Sequence, residues 1–241
     1  ATQGATSEWR IGVTTTDLFG QQGVLRAGGP TVPTVLTPTT PNVASAFAQN
    51  VQVGVTGSGL EQPFAAMNAA ITEPNLSTRN AGFIRTDAAL AVIIVTDAVE
   101  QSQGTPASYV STLRALKNNL TELVNVSVVG PFTASGGTCS VEGVDNGRYS
   151  AIVSLTNGAQ ADICTSSWAM DLENVSRSVF GRRRTFSLTG TPRSTADTTV
   201  TVNGMQQYSG WRFDATTNSI VFTTPPDANA AITVGYRTAC F

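Results

Sequence analysis

Leu90 to Val95 reads LAVIIV, six consecutive apolar residues that stop abruptly at Thr96-Asp97. A run of that length without alternation fits a strand buried on both faces, as in the middle of a parallel sheet. The next two segments fit the same reading. Ser108 to Leu123 places Tyr109, Leu113, Leu116, Leu120 and Leu123 at intervals of three or four, which predicts an amphipathic helix. Val126 to Val129 (VSVV) then predicts a second short buried strand. Strand, helix, strand implies a parallel pair joined by a right-handed crossover.

Around this unit the pattern is α/β. Trp9 to Thr16 (WRIGVTTT) predicts a strand with Ile11 and Val13 on one face, ending at Asp17. Leu18 to Pro41 is rich in Gly, Pro and Thr, with β-like runs near Val24–Arg26 and Thr31–Thr37. It reads as a long excursion outside the core, either a recognition loop or a packing arm between subunits. Val43 to Val53 predicts a helix with Phe47 and Val51 four apart, and Gly54 to Gly59 (GVTGSG) a tight turn. Glu61 to Ile71 predicts a helix with Pro63 in its first turn, where a missing N–H is tolerated, and Phe64, Met67 and Ile71 as its stripe. Asn75 to Asp87 reads as a loop carrying Phe83, and Gly130 to Gly147 as a loop carrying Cys139. Arg148 to Leu155 fits helix or strand. Trp168 to Val179 predicts a helix with Leu172 and Val175 inward; Trp9 and Trp168 read as core residues.

After Gly181 the period changes to short alternating runs: Thr185–Leu188, Thr198–Val202, Trp211–Asp214, Ser219–Thr223 and Ala231–Tyr236. Asn203-Gly204, Thr216–Asn218 and Pro225-Pro226-Asp227 punctuate them, which predicts a small all-β domain. The boundary falls near 181–184, giving domains 1–181 and 182–241. Arg182-Arg183-Arg184 there reads as a solvated linker in preference to a protease site or an anion contact.

Composition narrows function. The 241 residues contain no His, which removes His-based triads, His general bases and His metal ligands together. Only 12% are charged and the net charge is -2, so no basic footprint for nucleic acid exists. No apolar run reaches the roughly 18–20 residues of a membrane helix. The Gly54–Gly59 turn lacks the Lys-Ser/Thr ending of a phosphate-binding loop, and no Gly-x-Ser-x-Gly elbow surrounds any Ser. No catalytic constellation is visible, and the chain reads as a non-enzyme. Its Thr-rich, charge-poor composition suits a secreted or surface protein. No signal peptide opens the sequence, so Ala1 reads either as a processed terminus or as the start of a cytosolic chain. Three Cys (Cys139, Cys164, Cys240) leave one pair and one odd thiol as the simplest arithmetic.

IGVTTTD (Ile11–Asp17), GSGLEQPFAAM (Gly57–Met67), GFIRTDAALAVIIVTD (Gly82–Asp97), RYSAIV (Arg148–Val153) and ADIC (Ala161–Cys164) occur in this order. Together they resemble von Willebrand factor A-type domains of secreted proteins from myxobacteria and related bacteria. VTVNG (Val200–Gly204), Trp211–Asp214, TTNSIVF (Thr216–Phe222) and VGYRTAC (Val234–Cys240) resemble the small β domain that often follows there. The resemblance implies a three-layer, doubly wound, mostly parallel sheet with helices on both faces, followed by a small β-sandwich. It also implies a Mg²⁺ or other divalent site at the carboxyl ends of the strands, with Asp97 as a ligand and one of Thr56, Ser58 or Glu61 adding oxygen. Asp17 and Glu100 would serve ligand binding nearby. Asp97 also reads simply as a strand-end cap.

Three departures qualify what is implied. The first strand of that family, with its Asp-x-Ser-x-Ser, has no counterpart before Trp9. Residues outside this sequence, a cleaved segment or a strand of another subunit would have to fill its place. The acidic cluster after the third-loop Asp is reduced to Asp97-Ala98-Val99-Glu100. A Cys pair common around the second loop is absent, which leaves Cys139 and Cys164 to pair and Cys240 without an evident partner. Two functions are expected on this basis: an adhesion or binding protein using the strand-end crevice, or a structural subunit of an extracellular filament or surface assembly, completed by a strand from another chain.

Overall fold

The computed structural model describes residues 8–86, 88–133, 139–167, 170–171, 173–175, 184–226 and 230–238. Contacts divide the chain into Ser7–Val175 and a second unit spanning Ser176–Phe241. The Trp168–Val179 helix, Arg182, Arg183 and Cys240 fall wholly or largely outside the described residues.

In the first unit, β3 (Leu90–Val95), β4 (Val124–Gly130) and β5 (Gln160–Asp162) form a parallel sheet in the order β3-β4-β5. Three helices share the core on one of its faces. These are α2 (Pro63–Ile71), α3 (Pro106–Ala115) and α4 (Arg148–Thr156). Phe64, Met67 and Ile71 of α2 meet Val110 and Leu113 of α3 and Tyr149, Ile152 and Val153 of α4. Leu90 and Ile94 of β3 and Val124, Val126 and Val128 of β4 complete the cluster. The Leu90↔Val124 register puts those five residues on one face. Thr105 caps α3 by accepting a hydrogen bond from Ser108 N, and Pro106 occupies its first turn.

The expected doubly wound, three-layer sheet is overturned. Among the described residues parallel pairing extends over three strands, and α2, α3 and α4 all contribute to the core on the same face. β4 is buried along its whole length, as a central strand should be. β3 is not: Ala91, Ile93 and Val95 are exposed. The Trp9–Thr16 strand is also corrected. Only Ile11–Gly12 (β1) is strand, and it pairs antiparallel with Val35–Leu36 (β2) instead of joining the parallel sheet. Farther along, Val13 O accepts Arg26 N and Thr16 O accepts Gln62 N, so loops take the carbonyls that a ladder would have used. The excursion 18–41 is not peripheral either, since Leu25 and Leu36 are buried.

Other boundaries shift for local reasons. α1 is Val43–Asn50; Phe47 and Val51 are exposed, and Ala46 and Asn50 are the buried positions. α3 stops at Ala115 because Asn118 and Asn119 turn into the left-handed region (φ 52° and 60°), which Asn tolerates and a helix does not. Arg148–Thr156 is helix, which settles the open alternative. Trp9 is half-buried. Cys139 and Cys164 are joined by a disulfide that ties the 131–147 loop to the chain leaving β5.

Among the described residues the second unit holds two three-stranded antiparallel sheets. One is ordered β6-β10-β9, from Thr185–Ser187 (β6), Trp211–Asp214 (β9) and Ser219–Phe222 (β10); the other is β11-β7-β8, from Thr199–Val202 (β7), Met205–Gln207 (β8) and Ile232–Gly235 (β11). Val200, Ile220 and Phe222 form its core, with Phe186, Trp211, Phe213, Ile232 and Val234 packed around them. Asn203 and Gly204, both at positive φ, close the β7–β8 hairpin as a two-residue turn of matching twist requires.

Candidate binding site along the free edge of β3

β3 lies at the end of its sheet, so one row of its backbone N–H and C=O groups has no ladder partner among the described residues. Natural sheets protect such edges with charge, Pro or bulges. Leu90–Val95 has none of these, and Ile93 and Val95 are 47% and 58% exposed.

The segment 8–17 is tethered at both ends of this strand. Arg85, in the loop entering β3, pairs with Glu8 at 3.3 Å and donates to its carbonyl at 2.9 Å. Arg10 donates to Gly82 O, and Gly12 lies against the Phe83 ring. Beyond the other end, Gln62 N donates to Thr16 O, and Gln101 N, in the loop leaving β3, donates to Glu61 O at 2.9 Å. Among the described residues no ladder hydrogen bond joins 8–17 to β3.

At the carboxyl end, three loops named from the sequence converge in part. The Thr16 hydroxyl donates to the Glu61 carboxylate, and Gly57 lies against the Asp17 side chain. The oxygens are committed, however. Asp17 Oδ1 accepts Phe19 N and Gly20 N at 2.9 Å each, closing a turn. Ser58 Oγ accepts Leu60 N at 3.0 Å. Thr56 is exposed and enters no hydrogen bond with the others. Asp97 is exposed, and its carbonyl accepts Glu142 N at 2.7 Å.

Glu100 departs furthest from its expected role. Its side chain is fully buried, paired with Arg148 Nε, and accepts Ser102 N at 3.0 Å. Arg148 also donates to Gly104 O at 2.9 Å and Ser102 O at 3.0 Å, and its guanidinium stacks 5.6 Å from the Phe64 ring centre. The pair holds the 98–104 loop onto α4 and the core and offers nothing to a ligand. Tyr149 donates to Ala98 O at 3.1 Å; burial, and then the Glu100 charge, push its hydroxyl far above the ordinary value of 10.0. Burial also raises Tyr109. Sequence reasoning passed over Arg148, although a lone Arg opening an apolar helix is a signal for a buried carboxylate partner.

Among the described residues no group of three or more His, Cys, Asp or Glu stands close enough to hold a metal ion. A hard cation needs several oxygens free to converge. Ser58, Glu61, Glu100 and one oxygen of Asp17 are engaged internally, so the residues present do not fit the implied Mg²⁺ site. Among the described residues no helix is long and apolar enough to cross a membrane. Compared with family models, curated proteins and solved structures, the chain finds no match. The resemblance to A-type domains therefore rests on the quoted motifs alone.

Proposed function

We propose that this chain is a secreted or surface-displayed binding protein that makes and breaks no bond. It works as a subunit of an extracellular assembly, taking an extended strand of another copy along the free edge of β3. The observation that carries this reading is the exposure of Ile93 and Val95 on a strand whose whole sequence is apolar. Strand addition would satisfy the unpaired backbone row and cover those side chains in one step. The Cys139–Cys164 disulfide supports an oxidising compartment.

Sedimentation of the full chain over a range of concentrations, with amide exchange read at 90–95, tests it. Association with slowed exchange in β3, lost in Ile93→Lys and Val95→Lys, is the expected result. A monomer at every concentration with fast-exchanging β3 amides overturns it. A second reading, adhesion at the carboxyl end of β3, is favoured by the exposed Asp97, in the loop that also donates Gln101 N to Glu61 O. Asp97→Asn would then abolish attachment to a target surface while leaving the sedimentation profile unchanged.

A further inference from the structure

The sequence contains four Asn-x-Ser/Thr triplets: Asn75-Leu76-Ser77, Asn119-Leu120-Thr121, Asn125-Val126-Ser127 and Asn174-Val175-Ser176. A chain this rich in Ser and Thr produces such triplets by chance, so the sequence singles out none of them. The structure separates them. Asn75 is 8% exposed, and its amide nitrogen donates to Gln22 O at 2.8 Å and Ala69 O at 3.0 Å. Asn125 is 8% exposed, its amide nitrogen donates to Asn157 O at 3.0 Å, and its oxygen accepts from the fully buried Ser127 hydroxyl. A sugar on either nitrogen would break those bonds and displace core backbone. The Asn174 triplet ends on Ser176, outside the described residues.

Asn119 differs in each respect. It sits in the turn after α3, at φ 60°, and Asn119, Leu120 and Thr121 are all exposed. Within the turn, Asn119 N donates to Arg114 O at 2.8 Å and Leu120 N to Lys117 O at 2.9 Å. Among the described residues, neither the Asn119 amide nor the Thr121 hydroxyl is used by the fold. A transferase can therefore take the triplet without local unfolding.

We propose that Asn119 is an N-glycan acceptor on the folded protein. Its amide nitrogen would bond to the anomeric carbon of a nucleotide-activated sugar, the carbon–oxygen bond to the nucleotide breaking and the amide proton passing to the transferase base. The physiological use of the site rests on the extracellular reading above; its chemical competence does not. A glycan there would also cover Leu120, a surface apolar residue.

The test incubates the native full chain with a soluble N-glucosyltransferase and nucleotide-activated glucose, then maps hexose by peptide mass. One hexose on Asn119, absent in Asn119→Gln and in Thr121→Ala, is the expected result, with or without a second at Asn174. Hexose at Asn75 or Asn125 in folded protein overturns the proposal. So does an unmodified native chain whose unfolded form, under the same enzyme, accepts sugar at Asn119. Circular dichroism of both variants shows whether each is folded. Failure of the assembly reading shows in sedimentation and leaves this result untouched.

Discussion

At the scale of single residues, two contacts stand out because no substitute fits them. The fully buried Glu100 carboxylate pairs with Arg148, whose two terminal guanidinium nitrogens each donate to a backbone carbonyl. Removing one partner leaves a charge without compensation. Arg148→Ala is expected to destabilise the first unit by about 3–5 kcal/mol in a denaturant titration, the usual cost of orphaning a buried charge. Gly158 follows the left-handed Asn157 that ends α4, and a Cβ there would lie 1.8 Å from Val126 O. Gly158→Ala should cost about 3 kcal/mol, at the upper end of overpacking penalties, because the obstacle is strand backbone that cannot yield. Tyr149 sets a pH dependence. Its hydroxyl stays protonated in the fold at a pH where the unfolded chain has released the proton. The folded state then holds more protons, so stability falls as pH rises above about 10. Thermal melts across that range should show Tyr149→Phe losing less stability than wild type.

Among the elements, β3 and β4 show how little a strand's sequence says about its neighbours. LAVIIV and VNVSVVG pair in register, yet the more polar strand is the buried one. Asn125 and Ser127 can be buried in β4 because Asn157 O, Ala159 N and each other satisfy them. Ile93 and Val95 are exposed in β3 on the face opposite the one where, among the described residues, α2, α3 and α4 pack. Ile93→Lys should leave stability within about 0.5 kcal/mol of wild type, as surface changes do, while removing any association through the edge. The disulfide belongs to this scale as well. It spans 25 residues across the 131–147 loop, α4 and β5, and reduction should cost roughly 3 kcal/mol by loop entropy. Comparing melts with and without reductant checks this.

For the whole molecule, among the described residues each of the two units has a core of its own, which predicts two cooperative units. The second is close to the size at which burial only just offsets chain entropy. Calorimetry should therefore resolve two transitions, the lower one unaffected by reductant because the disulfide lies in the first unit. A single transition would show that the two cores unfold as one.

Local pattern carried the element types: the strand at 90–95, the helix after Pro63, the crossover helix before β4 and the hairpin at Asn203-Gly204 were legible, since period, Pro placement and turn residues act within a few positions. Helix ends were less so, because α3 stops on two Asn residues whose left-handed turn depends on the backbone they meet. Of the candidate site, Asp97 was placed at a strand end, but the internal engagement of Asp17, Ser58, Glu61 and Glu100 was invisible: their partners lie on other loops or at the next amide. The sequence by itself determined the type of the strongly patterned segments, such as the strand at 90–95 and the helix opening at Pro63, and excluded His chemistry. Tertiary structure alone decided that, among the described residues, the parallel sheet has three strands with its most apolar strand at the edge, and that Glu100 serves Arg148. Burial and pairing depend on which segments meet, and residues far apart in the chain choose one another only in the folded protein.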